Sequence, residues 1–211
     1  MNNTKKKSPI SWVPTAYFAM GLPFVVLNMV TVLMFKGLEV DDKLITFWTS
    51  LILLPWTLKP LWSPFLELFR TKKFFVIVTQ LITGITFGLV AFALNLSHFF
   101  SISIALLAIV AFSGATHDIA CDGVYMSELS NEDQARFIGW QGAFYNIAKI
   151  LATGGLVYLA GYFIELNADA GLLTANKRAW MIILLILSVT MILLGIYHLF
   201  ALASTQSASS R

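Results

Sequence analysis

Charge is what this 211-residue chain has least of: Asp, Glu, Lys and Arg together make up 12% of it, about half the share of a soluble globular domain. Cysteine is nearly missing too. The single Cys121 excludes an intrachain disulfide and a multi-cysteine metal site. Basic residues are not gathered into one patch, since the 14 Lys and Arg are dispersed along the chain. The net charge of +3 therefore argues against nucleic-acid binding and for a bias between the two sides of a membrane. A cleavable signal peptide is not expected either, since the first apolar run, 10–35, is too long for one and lacks a small-x-small cleavage site.

What is there instead is apolar. Hydrophobic residues make up 58% of the chain, and the mean hydropathy is +0.78. A chain this short cannot hide that much apolar surface in one core, so lipid is its natural solvent. Six apolar runs separated by short polar punctuation predict six spanning helices, over 10–35, 44–68, 74–94, 99–126, 136–163 and 179–203. Each is long enough to cross about 30 Å of hydrocarbon. The runs are apolar all round, whereas barrel strands would alternate over about ten residues. The expected fold is an all-α membrane protein with one six-helix domain over 1–203 and a disordered polar tail over 204–211.

Cationic residues set the expected orientation. Lys5, Lys6 and Lys7, then Arg70, Lys72 and Lys73 after the second helix, and Arg136 before the fifth fall on one side. Lys36, Lys43, Lys177 and Arg178 fall on the other, beside the acidic loop Glu39–Asp42. The balance favours both termini in the cytoplasm. No strict sequence repeat is visible, although two sets of three helices can still be related in topology alone.

Four ionisable side chains fall inside these spans: Lys59, Asp118, Asp122 and Lys149. Each costs at least ~2.5–3.5 kcal/mol near a helix centre unless it faces the bundle interior or a water-filled cavity. Two cations and two carboxylates can compensate one another. Asp118 and Asp122 are four apart and share a face, and Gln141, Tyr145, Lys149 and Thr153 form a polar stripe at the same spacing. A carboxylate so placed can take up and release a proton, coupling its movement to that of a solute. A static buried pair that fixes packing is the plainer reading, and Asp122 can equally lie at the headgroup level. His117, Asp118, Cys121 and Asp122 are too divided between adjacent faces to predict a metal site, and no cofactor or catalytic constellation is apparent. Pro55, Pro60 and Pro64 should loosen helix 2 around Lys59, as Gly21-Leu22-Pro23 should loosen helix 1. Gly154 and Gly155 suggest a close helix contact. Trp12, Trp62 and Trp180 read as lipid-facing or interfacial.

Three stretches carry a resemblance. Gly21-Leu22-Pro23 lies in helix 1, and Leu58-Lys59-Pro60-Leu61-Trp62-Ser63-Pro64 in helix 2 is followed by Glu67, Arg70, Lys72 and Lys73. In helix 4, Ser113-Gly114-Ala115-Thr116-His117-Asp118-Ile119-Ala120-Cys121-Asp122 leads into Glu128 and Asn131-Glu132-Asp133-Gln134-Ala135-Arg136. With these the chain resembles the N-terminal half of major facilitator superfamily transporters, in particular the AmpG-type muropeptide permeases and their acetyl-coenzyme A transporter relatives. The resemblance implies one six-helix half of a twelve-helix fold in the cell membrane, and proton-driven import of peptidoglycan-derived sugar–peptide fragments. It matches Asp118 and Asp122 to carboxylates important in that family, and the segment from Glu67 through Arg70, Lys72 and Lys73 to its cytoplasmic gate loop. Lys59, Lys149, Gln141, Tyr145, Thr153 and His117 would line the cavity, with the two lysines pairing with the carboxylates or receiving an anionic group of the solute. Solute, protons, lipid and a second six-helix half, missing or supplied by another copy, are the expected partners. A truncated or scaffolding membrane protein that pairs with another helix bundle is the alternative.

Overall fold

The computed structural model describes residues 8–69 and 71–202, with side chains described outside 67–70. Lys5, Lys6, Lys7, Arg70, the side chain of Glu67 and the tail 204–211 lie outside the described residues. Six helices are long and apolar enough to cross a membrane: helix 1 Pro9–Gly37, helix 2 Asp42–Leu61, helix 3 Lys72–Ala93, helix 4 Phe99–Glu128, helix 5 Asn131–Leu166 and helix 6 Leu172–Ala201. Among the described residues there is no strand. By length and composition the chain is a multi-pass membrane protein.

Local chemistry sets the ends, and at two of them it overrides hydropathy. Helix 5 starts at Asn131 rather than near 136, because Ser130 caps it by accepting from the Asp133 amide, with Glu132 and Asp133 in the first turn. Helix 6 starts at Leu172 rather than near 179, directly after Gly171 in a left-handed conformation (φ 82°). Its first turns carry Asn176, Lys177 and Arg178, which mask them from a search for apolar runs. The prolines act as their chemistry requires. Helix 2 is interrupted at Leu53, ahead of Pro55, and tightens to a 3₁₀ turn over Lys59–Leu61. A short helix, Ser63–Phe69, follows it. Helix 1 widens to a π turn over Val26–Val30 just after Pro23, and helix 5 does so over Leu151–Leu156.

Lipid offers no hydrogen bonds, so polar side chains on these helices return to their own backbone. Thr31, Thr49, Thr79 and Thr190 each donate to the carbonyl four residues earlier, at 2.7–2.8 Å. Helix 3 packs between helices 4 and 6, while helix 1 packs against helices 5, 4 and 6. Phe35, Phe87, Leu107, Ile183, Leu187 and Met191 fill the core between them. Glycine lets two backbones approach. A Cβ on Gly84 would lie 2.9 Å from the Ser188 carbonyl of helix 6, and one on Gly21 would lie 2.8 Å from the Tyr145 carbonyl of helix 5. Gly154 and Gly155 make no such approach: Gly154 opens onto empty space and Gly155 meets only Leu151 of its own turn. They sit in the π segment of helix 5. Trp12 and Trp180 correct a second expectation, since both are buried in the bundle rather than turned to lipid.

Cover is uneven. In their most apolar stretches 67% of helix 1 is buried, against 22% of helix 2 and 17% of helix 5. The bundle thus has a packed side, made by helices 1, 3, 4 and 6, and two helices with one face unsupported.

Candidate functional site

The site grows from the break in helix 2. Trp56 and Lys59 are three residues apart, on one face of a helix that tightens there. Both reach the same atom. The Lys59 ammonium lies 2.6 Å from Asp118 Oδ2 of helix 4, and Trp56 Nε1 donates to that oxygen at 2.9 Å. Asp118 is 8% exposed, and its second oxygen, Oδ1, is buried without a hydrogen-bond partner in the protein. Gly114, one turn before Asp118, makes the arrangement possible: a Cβ there would stand 2.9 Å from the Trp56 ring and 3.2 Å from Pro23. Phe24 closes the other edge of Trp56, ring to ring at 5.3 Å. The Gly-Leu-Pro turn of helix 1, the Lys-Pro turn of helix 2 and the Gly-to-Asp turn of helix 4 therefore meet at one place.

One turn further along helix 4, Asp122 takes part in a second junction. Tyr17 of helix 1 donates its hydroxyl proton to Asp122 Oδ1 at 2.8 Å and accepts from Gln141 Nε2 of helix 5 at 2.8 Å. Tyr17 is buried. Replacing it with Phe is expected to cost about 0.5–1.5 kcal/mol, because the link from Gln141 through Tyr17 to Asp122 is lost while the exposed Asp122 can turn to water. Unfolding of the purified protein in detergent measures this, and a Tyr17→Phe variant as stable as the parent would show that water already serves Asp122.

Helix 5 brings the rest of its polar stripe alongside. Tyr145 lies within electrostatic reach of Asp118, and the Lys149 ammonium stands 5.8 Å from the centre of the Tyr145 ring. Lys149 pairs with neither carboxylate. Thr153 donates to the Lys149 carbonyl at 2.8 Å, which spends its hydroxyl inside the helix. His117 leaves the group altogether. It is buried, and its Nε2 meets Gln80 Nε2 of helix 3 at 2.9 Å.

Lys72 and Lys73 are the opening residues of helix 3 rather than loop residues. The stem of Lys72 lies along helix 4, where Gly123 makes room for it. Lys73 donates to the carbonyls of Leu199 and Leu202 at 3.0 and 2.7 Å, capping the end of helix 6 with positive charge. A cavity of about 330 Å³ opens between the short helix, helix 3 and helix 4, lined by Ser63, Lys72 and Gly123 among others. A second, of about 220 Å³, is apolar and lies at the π segment of helix 5.

In comparisons with protein-family models, with curated proteins and with solved structures, the chain finds no match.

The residues that sequence reasoning passed over are neutral. Trp56, Tyr17, Gln80 and His198 all bond to, or through, the singled-out residues. Their signal was weak: a tryptophan three positions from a lysine in a span, and lone polar side chains with no local spacing to join them.

Proposed function

We propose that this chain is one six-helix half of a secondary transporter of the major facilitator type, coupled to protons and placed in the cell membrane with both termini cytoplasmic. The observation that carries the reading is the Asp118 carboxylate. One of its oxygens is shared by Lys59 and Trp56 while the other is bare, inside a bundle whose surroundings are apolar. A static tie needs both oxygens satisfied. A carboxylate that exchanges a proton for a lysine contact needs a free one.

Two further features support it. Helices 2 and 5 are covered on one side only, and helix 5 places exposed Asn146 beside exposed Gly142 and Ala143 on its open side, a surface better suited to a second helix bundle than to acyl chains. The basic ends also sort by side. Ser11 meets Tyr197 and Lys73 meets Leu199, so Lys72 and Lys73 share an end with the start of helix 1 and the last turns of helix 6. Lys36, Lys177 and Arg178 lie at the other end, beside Asp42 and Asn167. In this reading the second bundle comes from another part of the protein or from a second copy, and the solute is a peptidoglycan-derived sugar–peptide, as the resemblance implies.

Uptake by proteoliposomes tests it. Labelled muropeptide should accumulate when an inward proton gradient is imposed and should stop when a protonophore collapses it. Uptake indifferent to the gradient would remove the proton from the mechanism, and no uptake of any labelled sugar–peptide would remove the solute.

A further inference from the structure

The apolar cavity at the π segment opens outward between helices 1, 5 and 6. Leu22 and Leu187 form its buried floor, and Leu151 and Ile186 stand exposed at its rim. Its volume is about 220 Å³. Gly155 keeps it open, since a Cβ there would meet only Leu151 Cδ2, at 3.8 Å. We propose that this groove holds an acyl chain of one bound phospholipid, whose phosphate sits at Arg178 on the same seam between helices 5 and 6.

The lining decides what enters. One hydroxyl reaches it, that of Thr190, and it already donates to the Ile186 carbonyl at 2.7 Å. Water needs two to four polar partners to stay in such a place, and the side chains here offer none that is unspent. Left vacant, the groove costs its walls the dispersion contacts of their missing neighbours. In a bilayer the apolar matter at hand is acyl chain. A second helix bundle is a poorer occupant, because one wall is helix 6, which belongs to the packed side and not to the two helices with an unsupported face.

Arg178 supplies the polar end. It is exposed, and its Nη1 donates to Asn167 Oδ1 at 3.3 Å, which turns the guanidinium toward helix 5, whose last residue is Leu166. That contact occupies one of its five N–H donors, and the others suit the paired oxygens of a phosphate. The spacing fits as well. Arg178 and Ile186 are eight positions apart, about 12 Å along helix 6, and the hydrocarbon of one leaflet is about 15 Å deep. A phosphate held at the interface by Arg178 thus brings the far half of its acyl chain level with the groove. Lys177 does not compete, because its ammonium lies over the Phe99 ring of helix 4, 5.8 Å from the centre. Glu165 and Asp169 are exposed at the same end. They favour a headgroup that also carries an ammonium, such as phosphatidylethanolamine, over one with a net negative charge. The lipid binds whether or not the chain carries a solute.

Photolabelling of the full chain in lipid nanodiscs tests the assignment. The probe is a trace of phosphatidylethanolamine with a diazirine in the far half of one acyl chain, and peptide mass spectrometry reads where the carbene inserts. Adducts should gather on Leu151, Leu159 and Ile186 and exceed those on Ile82 and Ile85, which are exposed near the middle of helix 3. Gly155→Phe should abolish the excess, because the ring takes the place of the chain. Arg178→Gln should lower it by about twofold to fivefold, the share of one exposed charge contact. A diacylglycerol with the same labelled chain should show the same weakening in the parent protein. Equal labelling of the groove and helix 3 in the parent, which is what ordinary annular lipid gives, overturns the proposal. So does a diacylglycerol that labels the groove as densely as the phospholipid, or an excess that survives either substitution in a folded protein. The parent and Arg178→Gln decide even where Gly155→Phe fails to fold.

Discussion

Lys59→Met is expected to destabilise the bundle by about 2–4 kcal/mol, and the double variant Lys59→Met/Asp118→Asn to recover most of that loss. The single substitution removes the ammonium that lies 2.6 Å from Asp118 Oδ2 and leaves a carboxylate that is 8% exposed with only the Trp56 indole as donor. Breaking a fully sealed pair costs ~3–5 kcal/mol. The expectation here is lower because the Lys59 side chain keeps 28% of its exposure, and part of its interaction is already with solvent or headgroups. Asn in place of Asp118 removes the charge and can still accept from Trp56, so the remainder of the site has no reason to open. Detergent unfolding of the four proteins gives the coupling energy directly. A double variant no better than Lys59→Met would mean that the lysine acts by its stem and not by its charge. The same set separates structure from transport: Asp118→Asn should abolish proton-driven uptake while leaving a folded protein, and uptake that persists would strip Asp118 of its coupling role.

That pair was legible only as one of several, because charge is so rare in the sequence: Lys59 and Lys149 were both offered to Asp118 and Asp122, and Lys59 alone meets one of them. A lysine and an aspartate stranded in apolar runs have few ways to be tolerated, and mutual compensation is the cheapest. The six helices were legible for the same reason, since lipid imposes length and apolarity on any helix that crosses it. What could not be read was everything carried by neutral groups. Tyr17 to Asp122 spans 105 positions and Thr15 to His198 spans 183, and no local period encodes such pairings. Nothing in the sequence sets Trp56 apart from the other aromatics, although its indole nitrogen is spent on Asp118. The tryptophans at 12 and 180 were misplaced by a rule about membrane interfaces that holds for faces turned to lipid, whereas packing turned these two inward. The helix start after Ser130 was missed because a capping turn is polar by nature, and the start after Gly171 because Asn176, Lys177 and Arg178 interrupt the apolar run.

Glycine shows the same limit, and it yields the second large effect. Gly84→Ala is expected to lower stability by about 1–3 kcal/mol through overpacking, although alanine is the better helix former by ~1 kcal/mol. The added methyl would stand 2.9 Å from the Ser188 carbonyl, 3.0 Å from the Ile192 amide nitrogen and 2.7 Å from Ile192 Cγ1. Two of these three atoms are backbone, so no rotamer change can clear them and helices 3 and 6 must move apart. The same two helices carry the hydrogen bond between Gln80 and His198, 2.8 Å long, hence the strain falls on that bond as well as on the core. Gly154→Ala is the matched control. Nothing lies within 4 Å of its Cβ position, and its expected effect is between zero and a gain of ~1 kcal/mol from propensity. Both glycines sit in apolar spans, and the sequence offers no reason to treat them differently. Only the partner backbone distinguishes them. Equal responses in detergent unfolding would mean that helices 3 and 6 are not packed in this register, and the hydrogen bond between Gln80 and His198 would then lose the frame that holds it.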